Sequence, residues 1–154
     1  MIEFRGKATK LASENPDIQE NIKDGWVYGS LIWNNGDPWI VGDIADWDDE
    51  YIAHEWWVNV NVGTVGQFTG VYAELTDNEK IYSGDIIEVY TMLPPYVDHS
   101  KLQVGVVIFE DGCFKVKLSD GSRAYPFTSE AYLYYKIIGN VYDNPELAKE
   151  IENV

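Results

Sequence analysis

The stretch Val104-Gly105-Val106-Val107-Ile108-Phe109-Glu110-Asp111-Gly112-Cys113-Phe114-Lys115-Val116-Lys117-Leu118 decides the fold class. Two runs rich in β-branched and aromatic residues flank Asp-Gly, a pair that accepts the positive φ angles of a tight hairpin turn. The spacing predicts two antiparallel strands joined through residues 110–113. Upstream, Gly84-Asp85-Ile86-Ile87-Glu88-Val89-Tyr90 reads as another strand, entered from Ile81-Tyr82. Gly84 relaxes the turn, and Asp85 can accept from nearby backbone amides before the apolar run begins. Val65 to Val71 is a further strand, Glu74 to Lys80 a polar connection, and Pro94-Pro95 a break. Downstream, Ser119-Asp120-Gly121-Ser122 reads as a turn, and Tyr132 to Tyr135 and Lys136 to Tyr142 close the β region. Asn144-Pro145-Glu146-Leu147 has the chemistry of a helix start, with asparagine as cap, proline in the first turn and an acid at the positive dipole end. Leu147 and Ile151, four apart, would lie on the buried face of that short C-terminal helix.

The first half repeats the strand signals with more tryptophan. Ile2-Glu3-Phe4-Arg5 alternates apolar and charged residues. Asn15-Pro16 can open a helical turn that Gly25 ends. Trp26 to Trp33 and Trp39 to Gly42 form a hairpin around Asn34-Asn35-Gly36-Asp37-Pro38, with the proline expected to stop the ladder. After an acidic loop from Asp43 to Glu50, residues 55–62 alternate again, placing Val58, Val60 and Val62 toward the core. Repeated short strands with turns about every 8 to 12 residues mean a barrel or a sandwich. The reading is a mainly β chain: a small barrel with additional strands and a short C-terminal helix, one domain over residues 1–154, with a weak internal step near residues 61–64.

Composition bounds the function. Twenty-six acids against 11 bases give a net charge of −15, which repels phosphate backbones and anionic membrane surfaces and disfavours direct nucleic-acid binding. The same field attracts a basic partner. One cysteine, Cys113, rules out an intrachain disulfide and fits a reducing compartment. No apolar run approaches the length of a membrane helix, and Met1-Ile2-Glu3-Phe4-Arg5 lacks the apolar stretch of a secretory signal, so a cytoplasmic protein is expected.

Candidate chemical centres each have a plainer reading. Asp43, Asp46, Asp48, Asp49 and Glu50 offer hard oxygen ligands, but the alternating ligand pattern of a calcium loop is absent, so a solvated loop is preferred over a metal site. His54 beside Glu55 and His99 beside Asp98 are poor catalytic pairs, because neighbours on a strand point to opposite faces. Cys113 lies near Glu110 and Asp111, which raise rather than lower a thiol pKa. No nucleophile elbow, phosphate-binding glycine loop or zinc spacing occurs. No cofactor is expected. The tryptophans are harder to set aside. Trp56 and Trp57 are consecutive, so a strand sends them to opposite faces, and one of them needs a cover other than the main core.

Several phrases carry a resemblance. Ile2-Glu3-Phe4-Arg5-Gly6-Lys7, Gly25-Trp26-Val27-Tyr28-Gly29, Thr64-Val65-Gly66-Gln67-Phe68-Thr69-Gly70, Lys80-Ile81-Tyr82-Ser83-Gly84-Asp85-Ile86, Gly105-Val106-Val107 and Ile138-Gly139-Asn140-Val141-Tyr142-Asp143-Asn144-Pro145-Glu146-Leu147 occur in that order. Together they resemble the YopX-like proteins of phages and prophages across nearly the whole chain. The departures are longer stretches between Lys7 and Gly25 and from Val71 to Glu79. The resemblance implies a compact β structure related to SH3-type barrels, with self-association within its range. It supplies no activity and no catalytic residues.

The expectation is therefore a non-enzymatic protein-binding or regulatory factor of phage or prophage type. Its partner would be a host or phage protein, met through Trp47, Trp56, Trp57, Asp46, Asp48 and Asp49. The rivals are a structural homo-oligomer, with the aromatic surface buried between copies, and a metal-dependent enzyme using residues 43–50.

Overall fold

Extended, aromatic-rich segments and tight Asx-Gly turns build antiparallel sheets throughout the chain. The structure, a computed structural model, describes residues 1–91, 100–120, 123, 124, 127 and 133–152. It divides into two units, Met1–Gln67 and Phe68–Val154, at a point a few residues beyond the step in composition near 61–64.

The first unit contains β1 (Phe4–Lys7), the short helix α1 (Lys10–Ser13), a 3₁₀ helix (Pro16–Asn21), β2 (Trp26–Asn34), β3 (Asp37–Val41), β4 (Ile44–Trp47), β5 (Ile52–His54) and β6 (Trp57–Asn59). A 3₁₀ turn (Val62–Thr64) and the start of β7 (Gly66–Ala73) follow. Thr9 caps α1 by accepting from Ala12 N at 3.2 Å. Asn15 caps the 3₁₀ helix by accepting from Asp17 N at 3.0 Å, with Pro16 in the first position. The main sheet runs β6-β3-β2-β1, with Gly66 and Gln67 pairing to Arg5 and Phe4; β4 and β5 form a separate hairpin.

Asn35 and Gly36 turn β2 into β3 at φ 52° and 85°, the positive pair a two-residue hairpin needs. Pro38 does not stop the ladder as expected: it sits within β3 opposite Trp33. The flanking pair Asn34/Asp37 is hydrogen-bonded in such a hairpin, so the next pair is not, and the missing proline N–H costs that ladder nothing. Leu31, Ile40 and Val58 form one cross-strand row on the core face, joined by Ala8, Ala12, Val27 and Val60. Val62 departs from the alternation and is 63% exposed, because β6 ends at Asn59 and the chain turns into a 3₁₀ bend. The segment expected as an acidic loop is instead the β4–β5 hairpin.

The second unit holds the rest of β7, β8 (Glu79–Tyr82), β9 (Asp85–Thr91), β10 (Ser100–Glu110), β11 (Cys113–Leu118), β12 (Arg123–Ala124), β13 (Leu133–Asn140) and the helix α2 (Pro145–Glu152). β7 and β8 pair as a hairpin, and the five-stranded sheet runs β12-β11-β10-β9-β13. The β10–β11 hairpin is present as the sequence predicts, with Glu110 opposite Cys113 and Asp111 at φ 52°. Ile86 and Ile87, adjacent in sequence, are both fully buried. Ile87 packs with Val107, Val116 and Tyr135 on one face, and Ile86 packs with Val106 and Ile151 of α2 on the other. A sheet covered on both faces needs such consecutive apolar residues. Leu147 joins Ile151 on the buried side of α2. Asn144 does not spend its side chain on the helix: its Oδ1 accepts from Asn140 N at 3.1 Å.

The architecture is mainly β, antiparallel, with a short C-terminal helix. Among the described residues the sheets are open and none closes into the barrel that the turn spacing implied, because their outer strands do not pair with each other. No described helix is long and apolar enough to cross a membrane. The Pro94-Pro95 break, Asp98 and His99, Gly121-Ser122 and Tyr132 lie outside the described residues.

Candidate functional site

The register of β2, β3 and β6 decides which tryptophans meet. The side opposite the first unit's core carries two cross-strand rows, Ile32/Trp39/Asn59 and Ser30/Val41/Trp57. Trp56 faces the core cluster, while Trp57 faces away and is 57% exposed. Consecutive tryptophans thus lie on opposite faces, as a strand requires.

Over Trp57 a hollow of about 550 Å³ opens, lined by Ile32, Trp33 and Trp39 of the sheet and by Ile52 and His54 of β5. Trp33, at the end of β2, is 55% exposed. A second hollow of about 670 Å³ shares Trp39 and Trp57 with the first and is also lined by Thr9, Leu11, Glu14 and Ile18. The two form one aromatic-lined track on the first unit.

The β4–β5 hairpin that walls this track is held by its own acids. Asp48 Oδ1 accepts from Glu50 N at 2.7 Å and Tyr51 N at 3.0 Å. Asp46 accepts from Trp47 N at 2.9 Å and from the Tyr51 hydroxyl at 2.5 Å. The bond to the Asp46 carboxylate, aided by desolvation, holds the Tyr51 phenol above its ordinary pKa. His54 Nδ1 lies 2.8 Å from Gly42 O. A carbonyl only accepts, so Nδ1 carries the proton and Nε2 is the lone-pair atom of the neutral ring.

The six residues expected at a partner site are therefore not gathered in one place. Trp57 lines the track and Trp56 lies beneath it. Trp47 is 70% exposed on β4, opposite Ile52 and outside the track lining. Asp46 and Asp48 brace the hairpin, and Asp49 is exposed in its turn. Trp33, Trp39, Ile52 and His54 were missed. For Trp39 alone the two-residue turn at Asn35-Gly36 carried a signal, since counting back from it pairs Ile32 with Trp39.

Elsewhere, chemistry-bearing residues serve structure. Asp85 is buried and its Oδ2 accepts from Tyr82 N at 2.7 Å, the amide contact expected of it. Cys113 opens β11, with its thiol 3.7 Å from Glu110 O. Among the described residues no three histidine, cysteine or acidic side chains converge as a metal site would require.

A family model described as YopX protein matches residues 20–149. The crystal structure of protein EF1440 from Enterococcus faecalis is similar at a TM-score of 0.50 and 15% identity, covering 96% of this chain and 98% of that one. The crystal structure of protein yopX from Bacillus subtilis is 16% identical, covering 96% of this chain and 97% of its own, at a TM-score of 0.45. Identities this low speak to fold alone. None of the curated proteins compared matches the chain.

Proposed function

The chain belongs to the YopX family, and from that premise we propose that it is a non-enzymatic protein-binding or regulatory factor of phage or prophage type, acting in the cytoplasm. The observation that carries the reading is the exposed track through Trp33, Trp39 and Trp57. Trp33 and Trp57, each more than half exposed, leave large apolar rings in water, and a contiguous apolar patch on a small protein marks an interaction surface. Tryptophan is also the residue type that most often anchors protein contacts. Two acids of the 43–50 segment, Asp48 and Asp46, accept hydrogen bonds within the adjoining hairpin.

The test is recovery of partners from host lysate by the wild-type chain and by Trp33→Ala/Trp57→Ala, with each partner identified and its binding reconstituted from purified protein. A partner lost with the double variant supports the reading. Recovery of nothing, or of the same proteins by both chains, overturns it. The same track also fits a second copy of the chain. Light scattering decides that rival: a dimer that Trp57→Ala dissociates would replace the partner reading with self-association.

A further inference from the structure

We propose that the Trp33–Trp39–Trp57 track takes an arginine-bearing, extended segment of a basic partner protein. The inference rests on the protein-binding reading above and names the chemistry of the partner. Its first support is charge. Between Lys23 and Lys80 the chain contains no lysine or arginine, and this interval supplies the whole lining of the first hollow, from Ile32 to Trp57. Asp37, Asp43, Asp46, Asp49 and Glu55 fall in the same interval. The second hollow adds Glu14 and again no cationic lining residue. Neither hollow's lining holds a cation of its own to compete with an incoming one.

The second support is the kind of cation. Indole faces attract cations through the ring quadrupole. Guanidinium is planar and weakly hydrated, so it stacks on a ring at less desolvation cost than the compact ammonium of lysine. With Nδ1 facing Gly42 O at 2.8 Å, Nε2 is the ring atom left to accept whenever His54 is uncharged. Two hollows sharing Trp39 and Trp57 give room for successive side chains of an extended segment. A phosphate backbone or an anionic surface is repelled by the same acids.

The experiment titrates the full chain with three short synthetic peptides of equal length, one bearing arginines spaced by small neutral residues, one with lysine at those positions, and one with glutamine. Peptide anisotropy is read at physiological salt. The expected result is binding of the arginine peptide about tenfold tighter than the lysine peptide, no binding of the glutamine peptide, and about tenfold loss with Trp57→Ala. Trp57→Ala leaves the net charge unchanged, so equal affinity of wild type and variant would show diffuse attraction only and overturn the inference. Equal affinity for arginine and lysine peptides overturns it as well. Glutamine-peptide binding that Trp57→Ala abolishes overturns the arginine assignment while the protein-binding reading stands. If no peptide binds, the arginine inference falls, and partner recovery from lysate judges the broader reading separately. Trp33→Ala repeats the comparison at a second position.

Discussion

Trp56 lies against Gly42 so closely that a Cβ on the glycine would stand 2.5 Å from the indole Nε1. Gly42 N also donates to Trp56 O at 3.0 Å, and Gly42 O accepts from His54. One glycine therefore joins the end of β3, the core-facing tryptophan and the wall of the track. Gly42→Ala is expected to cost about 1–3 kcal/mol, the usual penalty for forcing extra volume into a packed site. Urea unfolding followed by circular dichroism measures it, and an unchanged midpoint would show that the indole moves aside freely.

The two consecutive tryptophans should part company on truncation. Trp56 packs on the core cluster, so Trp56→Ala is expected to destabilise by about 3 kcal/mol. Trp57 is mostly exposed, so Trp57→Ala should change stability by no more than about 0.5 kcal/mol. Thermal unfolding of both variants checks the contrast, and a large loss in Trp57→Ala would place that ring in the core.

How far the sequence reaches is clear from these residues. Where a local signal is also the structural cause, it is readable: Asp111-Gly112 and Asn35-Gly36 fix their hairpins because few other pairs accept two positive φ angles. The helix α2 is readable too, since Leu147 and Ile151 must share a face. Whether the sheets close into a barrel was not readable, because closure depends on which outer strands find each other, and turn spacing carries no information about that. The site was legible only in part. Tryptophan alternation gave Trp57, but Trp39 and Ile52 become its neighbours through registers of three separate strand pairs. The hydrogen bonds of the acids are illegible for a related reason: the hairpin partners of Asp46 and Asp48 appear only once Tyr51 folds back.

Asp85 gives a prediction in the second unit. Its buried carboxylate accepts from Tyr82 N at the entry to β9. Asp85→Ala leaves that amide without this acceptor in a place water does not reach, at a cost of about 1–3 kcal/mol. Asp85→Asn keeps a carbonyl oxygen and should lose less. Chemical denaturation of the pair gives the order, and equal losses would mean that the charge matters more than the acceptor.

The hairpin beside the track should loosen at alkaline pH. Tyr51 donates its phenolic proton to Asp46, and that bond raises the pKa of the phenol above the ordinary tyrosine value. A raised folded-state pKa means the bond's contribution is fully present below the ordinary value and is lost as pH climbs through the raised one. Asp46→Asn removes the charged acceptor, so the Tyr51 midpoint should fall back toward that of a free tyrosine. Selective ¹³C labelling of tyrosine rings, with Tyr51 assigned by Tyr51→Phe, follows the titration by NMR. A midpoint that does not move in Asp46→Asn would mean that the phenol is held by something other than this carboxylate, and the hairpin would then need another brace.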